Sequence, residues 1–302
     1  MSYLGKELEA ALHDIKLVSR RLLELERNQR VPKPGRPTIA EWMGQQDGVL
    51  EAGLSKELSR MLSGNPILDR LPFQDIHGNR FNYMTVEGQV TQPLEVLSVE
   101  FDLPKGELGG AVEIVGNFAL PTLIDKFMYL LFYGNPEYGV KGLHQLISPD
   151  ITIRAGSSTG TALSHTKLNE LLCNIQEPEL IVSTPRVCAS MMTYLQSIGL
   201  MGGGIEEYPA GIASYKTIPW FATNALRETE IATGGRYSGN TNGVNSSLFV
   251  LNFDALQGVH NGGIKLRQEG DKGYLTWLVG ATLKDMRGCG KIDGIWPGSV
   301  LA

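Results

Sequence analysis

Apolar residues near the start of the chain recur at Leu4, Leu8, Ala11, Ile15, Val18, Leu22 and Leu25, in alternating steps of four and three. That spacing is a heptad seam and predicts an amphipathic helix over 3–28. Glu7, Glu9, Lys16, Arg20, Arg21, Glu24 and Arg27 fill the other faces, while Leu12, Leu17 and Leu23 broaden the apolar stripe. Such a helix docks on a partner chain or packs on its own domain. The partner is favoured, because the next segment reads as a tether. Residues 31–37 hold Pro32, Pro34, Gly35 and Pro37, a composition that breaks helix and favours extended chain.

Beyond the tether the period changes repeatedly. A helix is expected over 50–62, stopped by Ser63-Gly64-Asn65-Pro66. "NRFNYMTVEGQVTQPLEVLSVEFD" is rich in β-formers and polar on both faces, with a turn at Glu87-Gly88. A ribbon with so little to bury projects or lies across a neighbour. "GGAVEIVGN" reads as a short strand, and a helix over 119–133 follows with Pro121 in its first turn, ended by Gly134-Asn135-Pro136. "AGSSTGTALSHT" reads as a loop. "TKLNELLCNI" reads as a helix with Leu168, Leu171, Leu172 and Ile175 on one face. "ELIVST" is a buried strand and "RVCASMMTYLQSIG" another helix. "SYKTIPWFATNAL" predicts a strand turning at Pro219, and residues 233–247 form a polar loop. "SLFVLNF" predicts a core strand, and "GIKLRQEGDKGYLTWLVGATLKDM" two strands joined at 269–273. Helices and strands interleave without a repeat, so the class is α+β.

A chain of 302 residues, 42% hydrophobic and 20% charged, has ample material for a core. Residues 1–36 carry eight Lys/Arg against five acids, which leaves −8 on the rest of a chain whose net charge is −5. That balance argues against a chain that coats nucleic acid along its whole length. Cys173, Cys188 and Cys289 cannot all pair within one chain and form no Cys-x-x-Cys. They read as small buried hydrophobes in a reducing compartment. "MSYLGKELEAALHD" lacks the apolar stretch of a signal peptide, and no run of about 18 apolar residues suggests a membrane span.

Candidate chemistry is sparse. "GSSTGTALS" has the composition of a phosphate loop, but Thr161 stands where the lysine is needed. "MGGG" at 201–204 follows a helix rather than a strand, so it is no dinucleotide fingerprint. His13, His77, His144, His165 and His260 show no helical metal-site spacing, and no Gly-x-Ser-x-Gly occurs. The corner "IVSTPRVCASMMTYLQSIG" places Cys188 in the first turn of a helix beside Arg186, where a thiol could be activated. Met191, Met192 and Val187 around it favour a packing role. Ser183 and Thr184 are natural caps before Pro185 at the first helical position. No catalytic residue, metal or cofactor is expected.

The order of these elements resembles the major capsid proteins of tailed bacteriophages, the Hong Kong-97-type fold shared with encapsulins. "GLSKELSRMLSGNPILDRLPF" looks like the helix before that family's projecting loop, and "NRFNYMTVEGQVTQPLEVLSVEFD" is similar to the loop itself. "FALPTLIDKFMYLLFYGNPEYGVKGLHQLIS" resembles the spine helix and the segment after it. "PELIVSTPRVCASMMTYLQSIG" followed by "YKTIPWFATNAL" looks like the apical module, and "SSLFVLNF…GVHNGGIKLRQ" like the peripheral return. The resemblance covers roughly residues 40–300. It implies an N-terminal arm, 1–48, and a peripheral domain, 49–148 with 246–290. The peripheral domain would contain a projecting loop at 76–102 and a spine helix at 118–134. An apical domain would span 149–245, with 291–302 joined to it or left apart.

The function implied is a shell subunit that forms pentamers and hexamers around double-stranded DNA, with an encapsulin-like nanocompartment as the alternative and an α+β enzyme using Cys188 as a third. Contacts between subunits are expected at Arg80, Tyr83, Glu87 and Gln89 of the projecting loop and at Leu8, Ile15 and Leu22 of the arm. Scaffold, portal and decoration proteins are the implied partners, with DNA held weakly and no membrane. The site implied is the virion capsid, assembled in the host cytoplasm. No lysine occurs between Ile76 and Asp102, so a lysine cross-link through this loop is not expected and the contacts should be non-covalent.

Overall fold

Alternation of apolar and polar residues decides the first element pair. In "EVLSVEFD" the odd positions Leu97, Val99 and Phe101 are buried and the even ones exposed, as a half-buried strand requires. The computed structural model describes residues 64–85, 88–102, 114–156, 159–198, 213–231, 245–269 and 271–301. The chain divides into two units, Met1–Arg36 and Pro37–Ala302, and every described residue belongs to the second. The heptad segment, the tether and the helix expected at 50–62 lie outside the described residues.

The smaller sheet joins β1 (Phe73–Asp75), β4 (Glu95–Asp102), β13 (Leu256–Glu269) and β14 (Lys272–Leu283) in the order β1-β13-β14-β4. A short helix, α1 (Pro66–Arg70), precedes β1 and is capped by the Asn65 side chain. Between β1 and β4, β2 (Arg80–Thr85) and β3 (Gly88–Pro93) form a separate antiparallel hairpin, closed by the pair Thr85 and Gly88. The turn expected at Glu87-Gly88 thus falls at the hairpin end. The ribbon is shorter than expected, however, because Glu95–Asp102 pairs with β14 instead of continuing the hairpin.

Across the inner face of this sheet runs α2 (Leu120–Tyr133), about 21 Å long at the usual rise. The segment 109–117 was expected as a strand. Its described part winds instead into a π turn, Val115–Ala119, that leads into α2. The widened turn sits just before Pro121, whose ring would clash with the carbonyl four residues back in a regular helix. Gly134 ends the helix with φ 67°, and a Cβ there would lie 2.3 Å from the Val140 carbonyl oxygen. Only glycine fits. A two-stranded clip, β5 (Gly134–Asn135) and β6 (Val140–Lys141), and a helical turn, α3 (Leu143–Leu146), follow.

Among the described residues the larger sheet has seven strands. They are β7 (Thr152–Arg154), β8 (Thr161–Ser164), β9 (Leu180–Ser183), β10 (Ala213–Tyr215), β11 (Ile218–Ala222), β12 (Ser246–Leu251) and β15 (Gly290–Leu301). Their order is β10-β11-β9-β12-β15-β7, with β8 also on β15. The helices α4 (His165–Asn174) and α5 (Pro185–Ser197) pack Leu168, Leu171, Val187, Met191 and Leu195 against Ile181, Leu248, Val250 and Ile292. The opposite face turns Leu180, Val182, Phe249 and Leu251 into the core that also holds α2. Phe127 of α2 reaches Trp277 of the small sheet at 4.8 Å between ring centroids, and Phe132 reaches Phe249 of the large sheet at 5.1 Å. The helix is therefore shared by both sheets, and this explains why nine of its residues are buried.

Three further expectations change. Thr161–Ser164, taken as loop, is a strand because Ala162 and Leu163 are buried beside β15. The turn in "SYKTIPWFATNAL" is at Lys216 and Thr217, with φ of 50° and 69°, and Pro219 lies inside β11. Two positive φ values in succession suit a two-residue hairpin loop. Ser246–Leu251, placed with the peripheral return, belongs to the large sheet, where it joins β9 to β15. β15, which covers most of the 291–302 segment whose membership was left open above, is the strand on which β7, β8 and β12 all pair.

Candidate assembly surfaces and a buried polar ring

The hairpin carries the described part of the expected contact set. Arg80 and Gln89 are exposed, as are Val90 and Thr91. Glu87 and the arm residues Leu8, Ile15 and Leu22 lie outside the described residues. Tyr83 departs from expectation. It is 4% exposed and packs with Phe81, Leu94 and Val259, while the Lys141 ammonium lies 5.5 Å from its ring centroid. Alternation puts Phe81 and Tyr83 on one face of β2, and that face lies against the chain's own body. Tyr83 therefore anchors the hairpin to its own subunit. Gln92 helps, donating to the Ala281 carbonyl at 3.2 Å and accepting from the Lys141 amide at 3.2 Å. The base of the hairpin is pinned, while Gln89, Val90 and Thr91 are open to solvent.

The edge strand β4 is treated differently. Val96 is 63% exposed on its outer face, but Lys126 of α2 donates to the Ser98 carbonyl at 2.6 Å. A lysine on an edge carbonyl discourages strand addition there. Phe118 and Tyr138 are other large exposed apolar side chains, in the π turn before α2 and in the β5–β6 turn.

The corner before α5 resolves into architecture. Thr184 accepts from the Val187 amide at 3.4 Å, and Pro185 takes the first helical position. Ser183 accepts from the Trp220 indole at 2.7 Å. Arg186 pairs with Glu228 at 3.0 Å. Burial pushes the Cys188 thiol up to about 11, opposite to the activation a nucleophile needs. Cys289, wholly buried, is pushed up to about 12. Among the described residues no group of His, Cys, Asp and Glu is arranged to hold a metal, and no helix is long and apolar enough to cross a membrane.

A cluster that the sequence did not disclose lies where α2, α3 and the large sheet meet. Tyr133 donates to Glu230, and its oxygen accepts from the Arg227 amide at 2.8 Å. Ser247 of β12 lies 2.5 Å from the second Glu230 oxygen and 3.1 Å from Asp293 of β15. Lys291, two residues before Asp293 on the same face, pairs with it at 2.9 Å and donates to the His144 carbonyl at 3.0 Å. The His144 ring places Nε2 3.4 Å from Glu230 and Nδ1 3.7 Å from Asp293. All of these groups are buried. Burial and the facing Glu230 carboxyl hold the Tyr133 phenol far above its ordinary range. The one local signal was "GKIDGIW", where charges alternate with apolar residues that the large sheet buries. Glu230, His144 and Tyr133 come from distant segments, and no spacing rule links them.

No protein-family profile and no curated protein sequence matches this chain. Solved structures do. A chain of the holo-SrpI encapsulin complex from Synechococcus elongatus aligns with a TM-score of 0.61 at 12% identity, over 80% of this chain and 91% of that one. A chain of the satellite phage P4 procapsid, solved with its size determination (Sid) protein, aligns with a TM-score of 0.52 at 7% identity, over 93% and 98%. Identities this low speak for the fold, and the fold extends over most of each chain. An α+β body with a pinned hairpin, a helix shared by two sheets and a seven-stranded second sheet is therefore the Hong Kong-97-type capsid fold, found in both an encapsulin and a phage procapsid.

Proposed function

We propose that the chain is a shell subunit, a major capsid protein that assembles as pentamers and hexamers into an icosahedral shell around the double-stranded DNA of a tailed phage. The observation that carries this reading is the capsid fold along most of the chain. The hairpin supports it, since its base is held by Tyr83 and Gln92 while Gln89, Val90 and Thr91 remain open to a neighbour. Many weak edges acting together hold a closed shell, so no single contact need be strong. The protein acts by assembly and not as an enzyme.

In this reading the small sheet, the hairpin and α2 form the peripheral domain, and the large sheet with α4 and α5 forms the apical domain, which also takes β12 and β15. The arm, 1–48, reaches partners through Leu8, Ile15 and Leu22, and the hairpin through Arg80, Glu87 and Gln89. Scaffold, portal and decoration proteins would complete the particle, DNA would be held weakly by the acidic body, and the mature protein would reside in the virion after assembly in the host cytoplasm.

A second reading is an encapsulin-like nanocompartment, favoured by the higher TM-score of the encapsulin match, 0.61 against 0.52. Negative-stain microscopy of the purified full chain tests the shared claim: closed particles are expected, and a stable monomer at high concentration with scaffold supplied would overturn it. Nuclease-protected DNA inside particles from the native source selects the capsid. A copurifying cargo enzyme selects the nanocompartment.

A further inference from the structure

β13 does not run straight past His260. Between the pairs His260–Val279 and Ile264–Trp277 it advances four residues while β14 advances two, so the strand bulges. Gly262 and Gly263 shape the bulge with φ of 63° and 65°, a conformation that glycine adopts at little cost. Two acceptors tie it down. The Gly262 amide donates to the Asp75 carboxylate of β1 at 2.9 Å, and the Gly263 amide donates to His260 Nδ1 at 2.9 Å. The same stretch holds the root of the β2–β3 hairpin. The Ile76 amide donates to the His260 carbonyl at 2.9 Å, and the Asn261 side chain donates to the Gly78 carbonyl at 2.7 Å. The Leu94 amide then closes the hairpin base on the Asn79 carbonyl at 2.8 Å.

The two acceptors are coupled through one atom. Asp75 lies 3.9 Å from Nδ1, beyond a hydrogen bond but close enough for charges to attract. While Nδ1 carries a lone pair it accepts from Gly263 and offers Asp75 nothing. Once protonated, Nδ1 is a donor, so it opposes the Gly263 amide and attracts the carboxylate that holds Gly262. We propose that the 260–263 bulge is an acid-opened latch at the root of the hairpin. Closed, Asp75 and His260 each hold one glycine amide. Open, the His260 imidazolium holds Asp75, both amides are released and the hairpin root loosens.

The charged groups around the imidazole are few. β1 supplies Asp75 and the Phe73 ring at 5.8 Å. Beyond the bulge on β13 stands Lys265, whose ammonium would lie 3.0 Å from a Cβ at Gly262. β14 sets Val279 opposite His260. α2 reaches this part of the core with Phe127, and its Lys126 is taken by the Ser98 carbonyl. His77, in the β1–β2 connection, is exposed. Burial, partly opposed by Asp75, lowers the affinity of His260 for a proton, so the latch opens below the ordinary histidine value of about 6.5. The closed latch stabilises the fold above that pH, and its contribution is lost as pH falls.

Hydrogen–deuterium exchange of the full chain tests this from about pH 7.5 to about pH 5, corrected for the intrinsic pH dependence of amide exchange. Light scattering checks that the assembly state is the same at each pH. Protection over residues 73–84 and 256–266 should fall by about tenfold, the scale set by one proton over one pH unit. Strands β9 and β12 of the large sheet should keep theirs. His260→Asn retains an acceptor for Gly263 but cannot take the proton, so protection at the hairpin root should not change with pH. Asp75→Asn retains an oxygen for Gly262 but gives the imidazolium no charge to hold, so the loss should move to lower pH. Equal loss in both sheets, or no loss in either, would overturn the latch. So would a His260→Asn protein that loses protection as the wild type does. If that variant does not fold, the wild-type comparison of the two sheets and the Asp75→Asn curve decide, and an Asp75→Asn curve identical to wild type would refute the exchange of partners.

Discussion

His260 lies in β13 of the small sheet and His144 in α3 against the large one, and both are buried. Their surroundings differ. At His260, Nδ1 accepts from the Gly263 amide at 2.9 Å where the β13–β14 register shifts, so that nitrogen must be unprotonated. Burial lowers its pKa, only partly opposed by Asp75 at 3.9 Å. At His144 both nitrogens face carboxyl groups and no backbone amide takes either one. The small sheet packs its histidine against the Phe73 ring at 5.8 Å, and a neutral imidazole fits there. The large sheet places its histidine among charges. The partners at the two nitrogens differ between these histidines, and at His260 they fix which nitrogen is unprotonated.

The strongest way to break this contrast is Lys291→Met. It leaves Asp293 buried without its cation and should cost about 3–5 kcal/mol in denaturant unfolding. A loss below about 1 kcal/mol would mean the ring is not a true buried ion network. Trp277→Ala, at the aromatic contact with Phe73 and Phe127, should cost a similar ~3–5 kcal/mol through the cavity it leaves. It should do so equally at every pH, which separates a packing loss from a charge loss. His260→Asn keeps an acceptor for the Gly263 amide and tests the acid branch of stability. A histidine with a lowered folded pKa stabilises the fold above its unfolded value near 6.5, and that contribution is lost as pH falls further. Wild type should therefore weaken on acidification, and the variant should weaken less. An unchanged acid branch in unfolding curves would remove His260 from the account.

Smaller effects sharpen the rest. Cys188→Ala should cost about 1 kcal/mol and leave particle formation intact on micrographs, and the wild-type thiol should react slowly with alkylating reagents at neutral pH. Tyr83→Phe removes a buried hydroxyl that has no partner among the described residues, so the melting temperature should stay level or rise slightly.

Much of the fold was legible along the chain because local rules agreed with burial. The 119–133 helix, its stop at Gly134, the strand of 180–183 and the Thr184-Pro185 helix start all follow from period, cap and turn chemistry. Errors arose where local chemistry was ambiguous. "TALS" has loop composition yet is a strand because β15 runs beside it. Pro219 looked like a turn, but the turn is two residues earlier at Lys216 and Thr217, which lack the usual glycine or asparagine. Tyr83 looked like a contact for a neighbour because a polar ribbon seemed to have nothing of its own to cover. Val259, 176 residues further along the chain, supplied that surface.

The sequence by itself determined the period of each element, where helices start and stop, the α+β class and the order of elements that resembles a capsid subunit. These depend on residues within a few positions of one another, where backbone geometry sets the rules. Only the tertiary structure decided which strands share a sheet, that α2 serves two of them, and that Tyr133, His144, Glu230, Ser247, Lys291 and Asp293 meet. Those outcomes depend on how long stretches of chain return to one another, and a buried charge reveals its partners only once the chain has closed around it.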